Sequence, residues 1–135
     1  MGNSIDELAS YMQPLCTQFL AAAQAAGIEC FLVDTGRTQG EQQTKLSQGV
    51  SWTQNSRHLP QPPEMKSEAF DVVPKAYMSM KNWNPYGDYW DKLGEIGKGL
   101  GLKWGGDWIG HRDPGHFQWQ GPSNHDAVAD VAAGA

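Results

Sequence analysis

The chain has no run of apolar residues near the roughly 18 needed to cross a bilayer as a helix. Its opening, MGNSIDELASYMQ, lacks the basic stretch followed by an apolar one that marks a secretory signal. Asp6 stands where an N-myristoylated chain carries Ser or Thr. These absences predict a cytoplasmic protein without a signal peptide, a lipid anchor or stable membrane insertion. Cysteine is scarce: Cys16 and Cys30 are the only two, too few for a disulfide framework, and their apolar neighbours predict buried free thiols. Positive charge is scarce as well. Ten Lys and Arg against 15 Asp and Glu leave a net charge of -5, and there is no basic stripe interleaved with aromatics, which excludes nucleic acid as a partner class. No internal repeat and no linker divides the chain. Its 135 residues, 39% of them hydrophobic, are read as one domain over 1–122 with an Ala- and Gly-rich tail over 123–135, flexible or weakly helical. A monomer is expected.

What is present is organised in short elements. Over 4–26, Ile5, Leu8, Met12, Leu15, Phe19, Leu20 and Ala23 recur at helical spacing, with Asn3 or Ser4 as N-cap and Gly27 as the stop. Pro14 interrupts the run, so it is either one kinked helix or two short ones. "IECFLVD" is short, apolar and bounded by turn residues, which suits a buried strand that delivers "TGRTQGEQ" to one end of a sheet. A short exposed helix is expected over 39–48, ended by Gly49. Residues 50–68 hold three prolines and little periodicity, and so long a loop in a compact domain is functional or mobile. "AFDVVP" reads as a strand stopped by Pro74. Tyr89, Trp90, Leu93, Ile96 and Leu100 give a helix over 86–100 with Gly101 as its C-cap, and "GHFQWQ" returns to strand alternation. The fold class that follows is α+β: a small antiparallel sheet carrying the site, with helices packed on one face.

The chemistry-bearing residues are few. A single histidine is more often a surface or satisfied core residue than a ligand, but His58 and His116 keep informative company. Asp71 lies inside "AFDVV", where an aspartate is costly unless it is paired, hydrogen-bonded or on a metal. Two imidazoles and one carboxylate leave a position open on tetrahedral zinc, as catalytic sites do. The same set also suits iron or manganese. The interval between His58 and Asp71 matches no local ligand motif, so spacing alone leaves the metal reading open. Asp113 precedes His116 across a Pro-Gly turn, and either opens that turn or carries a proton in metal-assisted hydrolysis. Arg37 offers a guanidinium fork to a carboxylate or an oxyanion, or forms a salt bridge with Glu41. Ser56 can orient a ligand, bind substrate or cap its turn; no base accompanies it as a nucleophile. Trp104 and Trp108 bracket "GGD" and are expected to pack beside the site, while Trp52, Trp83, Trp90 and Trp119 belong to core or cleft. Asp107 ties a turn or supports a ligating histidine from behind.

Taken together, "SRH" with the later "AFD", then "WGGDW" and "DPGHFQW", resembles the zinc DD-peptidase and endolysin family. These VanY-like metallopeptidases include phage L-alanyl-D-glutamate peptidases and D-Ala-D-Ala carboxypeptidases. The resemblance runs from "TGRT" at residue 35 to Trp119, and the paired motifs are far more specific than either alone. It implies a Hedgehog/DD-peptidase-like fold and one Zn2+ held by His58, Asp71 and His116. It implies Asp113 as general base and acid, and Arg37 at the substrate or developing oxyanion. Gln42 falls in the family's "EQ" position and joins Ser56 and Trp108 as a substrate-binding candidate. The implied activity is hydrolysis of a stem-peptide amide bond in bacterial peptidoglycan, foremost that of a phage L-alanyl-D-glutamate endopeptidase that acts on the wall after release and lyses the host. A D,D- or L,D-carboxypeptidase is the alternative within the family, and a non-catalytic zinc-containing wall-binding module is the alternative outside it. Two departures stand out. "LPQPPEMKSE" is longer and richer in proline than the family's step between ligands, with Ser67 where a glycine is common. His111 is a second candidate ligand, which the family motif ranks below His116 because it places the ligand after "DPG". His125 falls in the tail and is expected to be solvated.

Overall fold

The computed structural model describes residues 3–36, 41, 47, 56–61, 64–78, 87–110 and 112–121. In chain order these form a 3-10 turn (Ile5–Glu7), helix α1 (Gln13–Ala25), strand β1 (Cys30–Asp34), strand β2 (Ala69–Pro74), a 3-10 turn (Lys75–Tyr77), helix α2 (Asp88–Gly99), strand β3 (Leu102–Trp104), a 3-10 turn (Gly105–Asp107) and strand β4 (His116–Trp119). The four strands make one antiparallel sheet in the order β1-β2-β4-β3. This is the small antiparallel α+β architecture expected from the sequence. The helix expected over 39–48 lies outside the described residues apart from Glu41 and Ser47, as does the tail over 123–135. Among the described residues, no helix is long and apolar enough to cross a membrane.

Pro14 resolves the alternative left open over 4–26. It occupies the first turn of α1, where a missing N–H costs nothing and the fixed φ suits a helix start. Of the apolar residues before it, Ile5 lies in the separate 3-10 turn, Leu8 follows that turn and Met12 caps α1. Past each main helix stands a glycine with positive φ, Gly27 at +84° and Gly101 at +85°, a backbone region where a side chain is strained.

Both helices pack on one face of the sheet. Phe19 of α1 meets Phe70 and Phe117 with ring centroids 5.5 and 4.5 Å away, and Phe70 and Phe117 are cross-strand partners on β2 and β4. Leu8, Met12, Trp90, Leu93, Leu102 and Trp104 complete this core. The helix α2 can come this close because it carries glycine where it crosses the sheet. A Cβ at Gly94 would stand 2.6 Å from the Trp104 ring, and one at Gly97 would stand 2.4 Å from the Phe117 ring.

One strand differs from its expected burial. β1 alternates, with Phe31 and Val33 exposed at 42% and 38%, because among the described residues it is an edge strand paired only with β2 and covered on one face. A register irregularity between Leu32 and Asp34 brings Asp34 opposite Asp71. Strand β3 had no forecast, since "LKW" is too short to show a period. Cys16 is buried and Cys30 half-buried, both as free thiols, and burial pushes each up to about 12.

The described part of the proline-rich loop is fastened to the N-terminal segment. Ser10 donates to the Glu64 carboxylate through both its N–H and its hydroxyl at 2.9 and 2.7 Å. Lys66 Nζ donates to the Asp6 carbonyl at 3.0 Å. The backbone of Ser67 pairs with Glu7 and Ala9 at 3.1 and 2.8 Å.

Gly97→Ala tests the close helix approach. Alanine gains about 0.5–1 kcal/mol of helix propensity over glycine, whereas overpacking a filled core costs about 1–3 kcal/mol. Phe117 is fully buried and packs against both Phe19 and Phe70. The expected result is a lower urea midpoint for Gly97→Ala; a higher one would show that the ring yields.

Candidate metal centre

The β2–β4 register decides which side chains meet. Phe70 opposes Phe117 and Asp71 opposes His116, so the strand alternation that sends the phenylalanines into the core sends Asp71 and His116 to the other face. His58 arrives from a turn that begins at Ser56. The Ser56 hydroxyl oxygen accepts from the His58 N–H at 3.1 Å, and its carbonyl accepts from the Leu59 N–H at 3.0 Å. The structure thus gives Ser56, which is buried, the turn-capping geometry that was one of its sequence readings.

The three side chains converge on one oxygen. Asp71 Oδ1 lies 3.2 Å from His58 Nε2 and 2.9 Å from His116 Nδ1. One ligand atom from each of the three residues falls within 4.8 Å of the others. The two imidazole rings stand 5.0 Å apart at 74°. Both histidines are fully buried, and the Asp71 side chain keeps 19% exposure. The far nitrogens are engaged as well: His58 Nδ1 is 2.7 Å from the Thr35 carbonyl oxygen, and His116 Nε2 is 2.8 Å from Gln118 Oε1. Each ring is therefore flanked by an oxygen on both nitrogens, while a neutral imidazole has one proton to give. A proton on each nitrogen, or a cation on the Asp71 side, satisfies both oxygens at once. Two imidazoles and a carboxylate, with far nitrogens anchored to oxygen, form a donor set that fits a divalent metal with coordination positions left open.

The electrostatics agree. Burial pushes the Asp71 carboxyl up, but the charge of His58 and hydrogen bonds from both imidazoles outweigh it and hold Asp71 well below the usual carboxylate range. Burial likewise opposes charge on His116. The hydrogen bond and charge of Asp71, the charge of Asp113 and the Gln118 hydrogen bond together raise it above the ordinary histidine value.

Asp113 is half-buried on the turn before β4. Its N–H donates to the Gly105 carbonyl at 2.9 Å and its own carbonyl accepts from the His116 N–H at 3.1 Å. A Cβ at Gly105 would stand 2.3 Å from that carbonyl, and the Trp104 indole N–H donates to the Pro114 carbonyl at 2.8 Å. The "WGGD" turn is thereby locked against the "DPG" turn. The Trp108 ring lies 5.0 Å from that of His116. Asp107 differs from one of its expected roles: its carboxylate pairs with Lys98 Nζ at 3.1 Å on the exposed side of the turn, and it is Gln118 that backs His116. Arg37, Gln42, His111 and His125 lie outside the described residues.

Several supporting groups were not anticipated. Thr35 acts through its backbone carbonyl, which no side-chain pattern announces. Ser67 donates its hydroxyl to that same carbonyl oxygen at 2.7 Å and accepts from the Ala69 N–H at 3.1 Å, so it contacts the group that holds His58. Arg57, next to His58, and Glu68, next to Ala69, form a buried ion pair at 2.8 Å. Arg57 Nη1 also donates to the Gly121 carbonyl at 3.0 Å, and the Tyr11 hydroxyl donates to the other Glu68 oxygen. The available signal was a pair of charges set beside the two ligand segments.

Comparison with known proteins adds independent findings. A family model described as D-alanyl-D-alanine carboxypeptidase matches residues 51–119, a span containing His58, Asp71, Asp113 and His116. The chain is 31% identical over 117 residues to an L-alanyl-D-glutamate peptidase of Listeria phage A118, covering 86% of this chain and 39% of the length of that relative. Among solved structures it is similar to the L-Ala D-Glu endopeptidase ChiX of Serratia marcescens, with a TM-score of 0.63 and 20% identity. That likeness of fold covers 96% of this chain and 87% of the other.

The opposed burial and pairing terms define a pH test on metal-free protein. A histidine raised on folding contributes stability that is fully present below about 6.5 and is lost as pH rises through its folded value. The depressed Asp71 contributes above its ordinary value and loses that only in strong acid. With chelator present, the unfolding midpoint is expected to fall as pH rises past the raised value of His116, and Asp71→Asn to flatten this dependence. An unchanged slope in Asp71→Asn would assign it to other groups.

Proposed function

The chain belongs to the D-alanyl-D-alanine carboxypeptidase family, and from that premise we propose that it is a zinc-dependent peptidase cleaving the L-alanyl-D-glutamate bond of bacterial peptidoglycan stem peptides. The observation that carries the reading is the convergence of His58, Asp71 and His116 on one point within the matched region. The activities for which the phage relative and the Serratia protein are named support the choice of bond.

In this reading His58 Nε2, Asp71 and His116 Nδ1 hold one Zn2+. When bound, the ion supplies Lewis acidity to a water molecule and to the scissile carbonyl. Asp113 takes the proton from the attacking water and delivers it to the leaving amine. Its turn is braced by Gly105 and Trp104, and its charge already acts on His116. Arg37, two residues after Thr35 in sequence, pairs with a stem carboxylate or the developing oxyanion. Trp108 offers a flat apolar wall beside His116, Gln42 shapes the substrate side, and Ser56 orients His58 through its N–H. A purely structural metal would need no such proton carrier.

The family description favours a second reading, release of a terminal D-alanine by the same site. Purified peptidoglycan incubated with zinc-loaded protein separates the readings by mass spectrometry of the products. New alanine carboxyl and glutamate amino ends are expected. Free D-alanine would identify a carboxypeptidase, and intact stems with zinc bound would identify a wall-binding module. Asp113→Ala is expected to keep its zinc and lose at least about 100-fold in cleavage rate, the lower range for removal of a general acid-base group.

A further inference from the structure

Side chains alternate along β4, so Gln118 shares the face of His116 while Phe117 between them enters the core. Gln118 is 1% exposed, and its Oε1 lies 2.8 Å from His116 Nε2. Its backbone stands in register between Ala69 of β2 and Lys103 of β3, so the residue is fixed on both sides. A buried amide beside an imidazole is not neutral as to which ring nitrogen bears the proton: its oxygen only accepts. His116 meets Asp71 through Nδ1 at 2.9 Å. A proton held at Nε2 leaves the Nδ1 lone pair free on that side; a proton at Nδ1 would occupy it.

We propose that Gln118 is a positioning residue that holds His116 in the Nε2-protonated form and so reserves Nδ1 as the donor atom toward the metal. The inference rests on the zinc reading of the site. The Thr35 carbonyl plays the matching part for His58, but as a backbone group it cannot be substituted. Gln118 is the half of the arrangement that a mutation can separate.

Two substitutions distinguish positioning from packing. Gln118→Met keeps the length and buried volume but has no strong acceptor, whereas Gln118→Glu keeps the acceptor oxygen. Zinc affinity, measured by competition with a chromophoric chelator at one pH, is expected to weaken roughly 10- to 100-fold in Gln118→Met, the usual effect of removing a hydrogen-bond partner from a ligating histidine. Gln118→Glu is expected to bind at least as tightly as wild type. Nitrogen-15 spectra of the imidazoles in zinc-loaded wild type are expected to show His116 protonated at Nε2, a readout independent of cleavage and of any variant's folding. A folded Gln118→Met that binds zinc as tightly as wild type would overturn the proposal while leaving the zinc site intact; a zinc-loaded wild type with His116 protonated at Nδ1 would overturn the proposal together with the assignment of Nδ1 as the ligand atom. A folded wild type that binds no zinc would overturn the zinc reading and this inference with it.

Discussion

A carboxylate shared by two imidazoles, each already engaged on its far nitrogen, is the constraint around which the rest of the molecule is arranged. Asp71 reaches both His58 and His116 with one oxygen, and the Thr35 carbonyl and Gln118 amide stand behind the rings. Removing three such groups from water is costly unless their charges and protons are satisfied together. The arrangement holds only in one register of β2 against β4. A slip by one residue would turn Asp71 toward the helices and Phe70 toward the site. The stack of Phe19, Phe70 and Phe117 under α1, and the glycine-lined contact of α2, therefore secure the site from the opposite face of the sheet.

The same register explains what could be read in the sequence. "AFDVVP" was legible as a strand because it is short, apolar and stopped by Pro74, "HFQW" because it alternates apolar and polar residues, and Asp71 was conspicuous because it breaks an apolar run. Pro14 marked a boundary whose nature depended on the fold: a kink and a helix start look alike in one dimension. The edge position of β1 was not legible, since an apolar run of five or six residues looks the same whether one face or two are covered. Thr35 was hidden because its carbonyl does the binding, and Gln118 because a polar residue two places along a strand usually faces water. Asp107 drew notice as a possible support for a histidine, but the turn aims its carboxylate at Lys98. The resemblance to a known family singled out His58, Asp71, Asp113 and His116, which spacing alone left open; the three-dimensional pairing of Arg57 with Glu68 had no local spacing to betray it.

The long, proline-rich segment between His58 and Asp71 acquires a physical meaning in this light. Arg57 and Glu68 close the base of the loop through a buried ion pair and a backbone hydrogen bond of 2.9 Å, and Ser67 ties the same base to Thr35. Between them, Glu64 and Lys66 are fastened outward, to Ser10 and Asp6. The placement of His58 against Asp71 is thus set at the root of the loop and not along it. Doubling the length of a flexible loop costs only about 0.6 kcal/mol of closure entropy. The segment between His58 and Asp71 is accordingly a place where evolution, or an engineer, can vary length and composition and graft new recognition surfaces without disturbing the cluster of His58, Asp71 and His116 below.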